Sequence, residues 1–267
     1  MSLGIWAASA QAAPPACTLQ QIPLESVLPG IRVVHGDWPA KAGHGRAATT
    51  VVLGQGQQVT VVDPGPTRQV GRALQSTLQC QHSRVTGLIN THAHAEQVLA
   101  NSAFAVPVAS TQGTAQAMAK RCPDCKAAMV AELGARALQG TRIVLPQQGL
   151  QDGQILELGG RRWQVLDMPH AHTESDLVLW SPPEKIAIVG GLVDGRWPVL
   201  AQGSVLGWLR ALSQFQTLSP DWLVGQHVVR GPGQVKPVVE RQQRYLCGLV
   251  EHAWRSLEQG LSEAEGV

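Results

Sequence analysis

Residues 89–104 have the sequence INTHAHAEQVLANSAF, and this stretch decides the fold class. The apolar run VTGLIN that leads into it predicts a buried β-strand, and His92 and His94 follow where that strand ends. Because residues i and i+2 of an extended segment point to the same side, both imidazoles can grip one ion. The next polar side chains are Glu96 and Gln97, a carboxylate and a neutral amide. The stretch therefore predicts at least half of a metal site.

Histidines also follow two other predicted strands. His170 and His172 come after WQVLDMP, and His227 comes after DWLVGQ. Loops at strand ends are where a rigid scaffold places functional groups. A single histidine is usually a surface residue or a hydrogen-bonded core residue, but three such positions together favour metal binding over that alternative. Because catalytic zinc takes three protein ligands and an open water position, the pattern predicts a zinc site.

The rest of the chain alternates strands and helices twice. Apolar and β-branched runs predict strands over 31–36, 49–66 (a hairpin), 85–91, 104–111, 141–146, 154–160, 161–169, 176–180, 184–191 and 221–226. Helical spacing predicts helices over 67–79, 112–138 with an interruption at Pro123, 204–218 and 236–260. Two β-rich halves, each covered by helices, predict a four-layer αββα sandwich of the α/β class. No change of composition divides residues 17–267, which we interpret as one domain.

Composition argues against two classes of partner. The 267 residues carry a formal net charge of only +2, and no run of Lys or Arg exceeds two residues. Nucleic-acid binding is therefore not expected, and neither is a membrane span, because the apolar runs are too short. A small-molecule substrate fits this composition.

Residues 1–16 are rich in small and apolar side chains. Ala10-Gln11-Ala12 resembles a signal-peptidase site, although the basic residues that usually begin a signal peptide are absent. We expect a signal-peptide remnant or a disordered terminus there.

Five cysteines bear on the cellular compartment: Cys17, Cys80, Cys122, Cys125 and Cys247. In an exported protein at least one pair should be oxidised, and the odd cysteine stays unassigned. The C-P-D-C motif could be a redox motif or half of a zinc knuckle. Because no second CxxC is present and no thioredoxin-like strand precedes this one, we favour a local structural disulfide between Cys122 and Cys125.

Five segments together resemble the metallo-β-lactamase fold hydrolases. THAHAEQ resembles the family motif T-H-x-H-x-D-H, HTESD resembles H-T-x-G-D, and VVDPGP resembles the D-T-G turn. IVGG followed by LVDGRWP resembles F-x-G-D-L-V-F-x-x-R-x-P, and VGQH resembles P-G-H. The five matches occur in the family order.

Two further segments are similar to the quinoprotein relay system zinc metallohydrolases, a branch of this family. They are RCPDCKAAMVAELGARALQGTRIVLP and GWLRALSQFQTLSPDWLVGQH. That resemblance implies a periplasmic protein with a functional link to quinoprotein dehydrogenases.

The resemblance also implies a ligand set. Its first metal site corresponds to three histidines that are all present, His92, His94 and His172. Its second site corresponds to four positions, which are occupied here by Glu96, Gln97, Gly191 and His227. The same resemblance assigns two aspartates, Asp63 and Asp176, to the support of the metal-binding loops.

The second site departs from the family pattern. Glu96 keeps a carboxylate that could ligate or act as a general base. Gln97 offers only a neutral oxygen, which suits zinc poorly, and Gly191 has no side chain to bridge two metals. Asp194, three residues later, could substitute for the bridging carboxylate or could simply cap a turn before Gly195. We therefore predict one tightly bound Zn²⁺, with the second site weak or empty.

These observations lead to a periplasmic zinc-dependent hydrolase as the leading hypothesis, with two alternatives. In the leading hypothesis a zinc-bound hydroxide attacks an ester, thioester or amide-like bond. Glu96 moves a proton, and His227 helps to hold the developing oxyanion. The first alternative is a non-catalytic or accessory metal-binding protein of a quinoprotein-related pathway. The second, a β-lactamase, rests on fold analogy alone, because nothing in the sequence selects a β-lactam.

Overall fold

The computed structural model describes Cys17 and residues 21–36, 48–196, 198, 200 and 202–262. The predicted N-terminal segment, residues 1–16, lies outside this part of the chain. Two β-sheets and five α-helices organise the described residues. None of these helices has the length and apolar character needed to cross a membrane.

The first sheet contains seven strands, which neighbour one another in sequence order. They are β1 (Glu25–Leu28), β2 (Ile31–Val34), β3 (Thr50–Leu53), β4 (Gln58–Val62), β5 (Arg84–Ile89), β6 (Val108–Thr111) and β7 (Gln148–Leu150). Strands β1 to β4 form an antiparallel meander, whereas β4 to β7 run parallel. Parallel neighbours need crossover connections. Three segments provide them: α1 (Arg68–Cys80), α2 (Ala95–Val98) with a 3₁₀ turn (Leu99–Ala103), and α3 (Gln112–Leu133).

The second sheet contains six strands in the order β13-β12-β11-β10-β9-β8. They are β8 (Ile155–Leu158), β9 (Arg161–Pro169), β10 (Ser175–Ser181), β11 (Ile186–Gly190), β12 (Trp222–Gly225) and β13 (Val228–Arg230). All pairs are antiparallel except β11 and β12, which α4 (Val205–Thr217) connects as a crossover. The helix α5 (Val235–Glu258) follows β13.

Alternating side chains on the strands separate the layers. On β10, Leu177 and Leu179 belong to an apolar cluster shared by the two sheets, and the fully buried Trp163 of β9 lies in the same cluster. Val178 and Trp180 point the other way, into a cluster with α4 and α5. This is the period of two expected for strands covered on both faces. A third cluster packs α1 onto the outer face of the first sheet. The predicted four-layer αββα sandwich is confirmed.

Helix boundaries follow local capping. The hydroxyl of Thr67 accepts a hydrogen bond from Val70 N at 3.2 Å and begins α1, and Ser204 caps α4 in the same way through Gly207 N. The helix α3 ends at Gly134, whose φ of +82° suits a residue without Cβ. Pro123 lies inside α3 and does not interrupt it, contrary to the prediction.

Some elements differ from the sequence prediction. Residues 141–146, predicted as a strand, have no regular secondary structure. Side chains hold this segment instead, since Thr141 Oγ1 accepts from Arg68 N and Val144 O accepts from Asn101 Nδ2. The short elements β1, β7, β13 and α2 were not predicted, because three or four residues carry too little periodicity.

The disulfide differs from the predicted pairing. Cys17 is bonded to Cys80 at the end of α1, across a sequence separation of 63 residues. Cys122 and Cys125 are both free, as is Cys247. The predicted Cys122–Cys125 disulfide is therefore wrong. Both residues lie in the continuous helix α3, where Cys122 is buried in an apolar cluster beside Ala93.

We expect the Cys17–Cys80 disulfide to stabilise the fold measurably. Because it closes a long loop, replacing both cysteines by serine should lower the free energy of unfolding by about 2–4 kcal/mol. Thermal unfolding should then shift down on the order of 10 °C. Reductant should lower the melting temperature of the wild type and leave that of the double variant unchanged. Equal melting temperatures for oxidised wild type and the double variant would contradict this stabilising role.

Candidate metal centre

Three histidines from distant parts of the chain converge at one edge of the sandwich. His92 and His94 follow β5, and His172 lies in the turn between β9 and β10. His94 Nδ1 is 3.1 Å from His92 Nε2 and 3.2 Å from His172 Nε2. All three rings are buried. Within the described residues, these form the one group of His, Cys, Asp or Glu side chains whose ligand atoms lie close enough to share a metal, within 4.8 Å of one another.

Hydrogen bonds between the two sheets fix this convergence. Leu177 N of β10 donates to Thr91 O at 2.8 Å, next to His92. Thr111 Oγ1 and Ser175 Oγ are 2.7 Å apart, and Thr114 Oγ1 donates to Ser175 O at 3.1 Å. Because these contacts join the end of β5 and the start of α3 to β10, they hold the two histidine-bearing loops face to face.

A chain of hydrogen bonds orients the ring of His92. Thr91 Oγ1 lies 2.6 Å from Asp63 Oδ2 and 2.9 Å from His92 Nδ1, and Thr91 N donates to Asp63 Oδ1. If Thr91 Oγ1 donates its one proton to the Asp63 carboxylate, it accepts a hydrogen bond from the N–H at Nδ1 of His92. The Nε2 lone pair then faces the other two histidines, the arrangement that metal-binding histidines require. Burial raises the pKa of Asp63 to about 7, although its hydrogen bonds to Thr91 oppose that shift.

The loop that carries His172 is held by Asp176. Its carboxylate accepts from Thr173 N at 2.7 Å and from Thr173 Oγ1 at 3.1 Å. Burial raises the pKa of Asp176 to about 7 despite these bonds. The His172 ring packs on Trp208 with centroids 4.6 Å apart. The neighbouring His170, by contrast, is exposed.

The three imidazoles are electrostatically suited to a cation. Burial lowers the pKa of His92 and His172 well below the usual range, and the adjacent histidines lower it further. Neutral imidazole is the form that binds metals. A tetrahedral zinc with bonds of about 2.0–2.1 Å needs ligand nitrogens roughly 3.4 Å apart, close to the spacings around His94 Nδ1. The residues present therefore fit a single zinc ion.

Two consecutive glycines allow β11 to end against this cluster. A Cβ added at Gly191 would lie 2.5 Å from His172 Nε2 and 2.9 Å from His92 Nε2. A Cβ at Gly190 would collide with the side chain of Thr91, and Gly190 has a φ of +49°. From the sequence, Gly191 was interpreted only as a missing metal ligand. The need for a residue without Cβ at this position was not predicted. The Gly-Gly pair immediately after an apolar strand was the available signal.

Glu96 and Gln97 lie beside the histidines with different surroundings. Glu96 Oε1 is 4.0 Å from His94 Nδ1, and its side chain is 13% exposed. Gln97 is buried, and its side-chain oxygen has no hydrogen-bond partner among the described residues. Glu96 therefore places an acidic group beside His94.

Asp194 and His227 are paired with each other. Asp194 Oδ1 lies 2.7 Å from His227 Nδ1 and also accepts from Arg196 N at 2.8 Å. Gln242 Oε1 accepts from Asp194 N, so the turn is anchored to α5. The cluster within 4.8 Å includes neither Asp194 nor His227. The carboxylate thus caps the turn before Gly195 and binds an imidazole at the same time.

Comparison with known proteins agrees with this architecture. The model of the metallo-β-lactamase superfamily matches residues 43–227. Comparison with curated proteins gives no significant match. A metallo-β-lactamase from Pontibacter korlensis is 16% identical with a TM-score of 0.66, covering 85% of this chain and 99% of that one. A β-lactamase domain protein from Burkholderia ambifaria is 19% identical with a TM-score of 0.66, covering 91% and 77%.

A third similar structure is the metallo-β-lactamase FIM-1 from Pseudomonas aeruginosa in its mono-zinc form. It is 12% identical with a TM-score of 0.66, covering 86% of this chain and 96% of that one. Identities this low show a shared fold and leave the reaction open. The family model, however, spans most of the sequence and includes all three converging histidines. The chain therefore belongs to the metallo-β-lactamase superfamily.

Proposed function

We propose that this protein is a metal-dependent hydrolase that binds a single zinc ion through His92, His94 and His172. The observation that carries this proposal is the convergence of three buried ring nitrogens within 4.8 Å of one another. Glu96 Oε1 lies 4.0 Å from His94 Nδ1, so an acidic group stands beside this cluster. Three neutral imidazoles with ring nitrogens this close together can share one cation.

The chemistry expected of the site is hydrolysis of an ester, thioester or amide-like bond. His92, His94 and His172 would hold the zinc ion, which when bound would lower the pKa of a water ligand toward about 7. Glu96 lies at the rim of the cluster and accepts the proton lost during attack, as a general base. Asp63, through Thr91, keeps the Nδ1 of His92 protonated so that its Nε2 stays available for binding.

Asp194 and His227 act, in this proposal, as a hydrogen-bonded pair that serves the substrate. Asp194 holds the Nδ1 of His227 at 2.7 Å and so orients the ring. His227 in turn stabilises negative charge that develops on the substrate. Because the Asp194 carboxylate already serves His227 and Arg196, it is poorly placed to bridge two metals. This supports a weak or empty second site.

We further propose a periplasmic location with a small-molecule substrate. The Cys17–Cys80 disulfide supports an oxidising compartment. A functional link to quinoprotein dehydrogenases rests on sequence resemblance alone. The competing hypothesis, an accessory metal-binding protein of such a pathway, is favoured by the neutral Gln97 and by Gly191 in the second site. Metal content and turnover separate these two hypotheses.

Metal content is the first test. Purified protein should contain about one zinc per chain, and His92→Ala should lose most of it because two imidazoles hold zinc weakly. His82→Asn is the matched control, since His82 is exposed and lies outside the cluster. Elemental analysis after dialysis gives the stoichiometry. Wild type without zinc after purification in zinc-containing buffer would refute the proposal, and zinc without turnover of generic esters would favour the accessory function.

Glu96 should matter for turnover more than for zinc binding. Replacing it by glutamine removes the proton acceptor and keeps the shape, so we expect kcat to fall by about 10²–10⁴-fold. Zinc content should stay near that of the wild type because Glu96 is not one of the three converging ligands. Steady-state kinetics and elemental analysis on the same samples provide the measurement. Unchanged kcat, or loss of zinc together with activity, would show that Glu96 is not the general base.

Gly191 should control metal binding without being a ligand. The Cβ in Gly191→Ala would push into His172 Nε2 and His92 Nε2, so we expect zinc affinity to fall by about 10–100-fold. Gly149→Ala is the control because a Cβ there meets nothing within 4 Å. Competition with a chromogenic zinc chelator measures the affinities. Equal affinities in the two variants would contradict this account of the Gly-Gly turn.

A further inference from the structure

The buried face of α5 carries a polar residue. Four residues of this helix are buried, and three of them are apolar, Val235, Val239 and Leu246. The fourth is Gln242, which is 3% exposed. Its spacing of three residues from Val239 and four from Leu246 places it on the same face of the helix. Glutamine is seldom buried, so this amide requires hydrogen-bond partners inside the protein.

The side-chain amide of Gln242 uses both of its ends on one turn. Its Nε2 donates to Leu192 O at 2.7 Å, and its Oε1 accepts from Asp194 N at 2.9 Å. Both backbone groups belong to buried residues. They lie in the turn of residues 191–195, which follows β11 and is outside the strand pairing of the sheet. One amide therefore fixes two backbone positions of this turn.

The opposite side of the turn packs on the loop that carries His227. Gln226 N, between β12 and β13, donates to Val193 O at 3.1 Å. A Cβ added at Gly195 would lie 2.2 Å from His227 O, so the end of the turn directly contacts the backbone of that histidine. The turn is therefore held between α5 on one side and the His227 loop on the other.

The turn supports both histidine systems of the site. Leu192 O accepts a second hydrogen bond, from Trp208 Nε1 at 2.8 Å, and the indole of Trp208 packs on the ring of His172. Two residues later, Asp194 Oδ1 lies 2.7 Å from His227 Nδ1. Because an aspartate side chain is short, the position of its backbone decides where its carboxylate lies. A shift of the turn would therefore move the group that orients His227.

We propose that Gln242 is a positioning residue that keeps the carboxylate of Asp194 in contact with the ring of His227. The inference rests on the proposed function, in which His227 stabilises negative charge on the substrate. Removal of the amide takes the hydrogen-bond acceptor away from the buried N–H of Asp194. An unpaired buried group of this kind is unfavourable, and the turn relieves it by moving.

The replacement of Gln242 by methionine tests this role in the full, zinc-loaded chain. Methionine has nearly the same length and lacks the amide donor and acceptor. We expect kcat for a generic ester to fall by about 10–100-fold, because a displacement of about 1 Å remote from the chemistry has effects of this size. KM should change little, since the charge that His227 stabilises develops in the transition state. Zinc content should stay near that of the wild type, because Gln242 bonds the turn rather than the three converging histidines.

A spectroscopic signal separates positioning from simple stabilisation. The N–H at Nδ1 of His227 should give a downfield proton NMR signal while the carboxylate of Asp194 accepts its hydrogen bond, and His227→Gln assigns that signal. Gln243→Met is the matched control, since Gln243 is the next residue of α5 and donates to Gln216 Oε1 of α4. We expect the signal to persist in Gln243→Met and to be lost in Gln242→Met.

Equal kcat values and equal His227 signals in the two methionine variants would overturn the proposal and leave Gln242 as an anchor of the fold. If Gln242→Met does not fold, Gln242→Glu replaces it, because a carboxylate still accepts from Asp194 N and cannot donate to Leu192 O. A wild-type kcat and a wild-type signal in that variant would contradict the proposal equally. Wild type that binds zinc without turning over esters would defeat the proposed hydrolase, whereas the His227 signal would still decide the role of Gln242.

Discussion

The hydrogen bond from Leu177 N to Thr91 O joins the two sheets one residue away from His92. Every feature of the candidate centre depends on this junction, because His94 and His172 are 78 residues apart and belong to loops of different sheets. A slip of one residue in either strand would turn an imidazole out of the cluster. The hydroxyl contact between Thr111, at the end of β6, and Ser175 fixes the same register.

Sequence patterns identified the layers and the converging histidines because both depend on local signals. Apolar runs predict buried strands directly, and histidines that follow those strands reach the same edge of the sandwich. Contacts between residues far apart in the sequence produce no local pattern of this kind. The disulfide from Cys80 reaches Cys17 across 63 residues, and the path of residues 141–146 is set by Thr141 and Asn101. Short elements such as β7 depend on neighbours more than on their own residues.

The second metal position is altered in a coordinated way. Gly191 brings backbone close to the rings of His92 and His172, while Asp194, three residues later, is bound to His227. In this short turn, position 191 therefore carries no carboxylate, and the carboxylate of Asp194 binds the imidazole of His227. In the proposed function, this combination supports a single zinc ion, with the His227 ring that Asp194 orients stabilising negative charge on the substrate.

The close approach at Gly191 also constrains how this lineage can change. Some glycine codons become aspartate codons through one nucleotide substitution, so an aspartate at this position is genetically near. Structurally it is distant, because any side chain at this position first has to displace two buried rings that Trp208 and Thr91 hold in place. A side chain at this position would therefore require a prior change in the His172 loop that makes room for it.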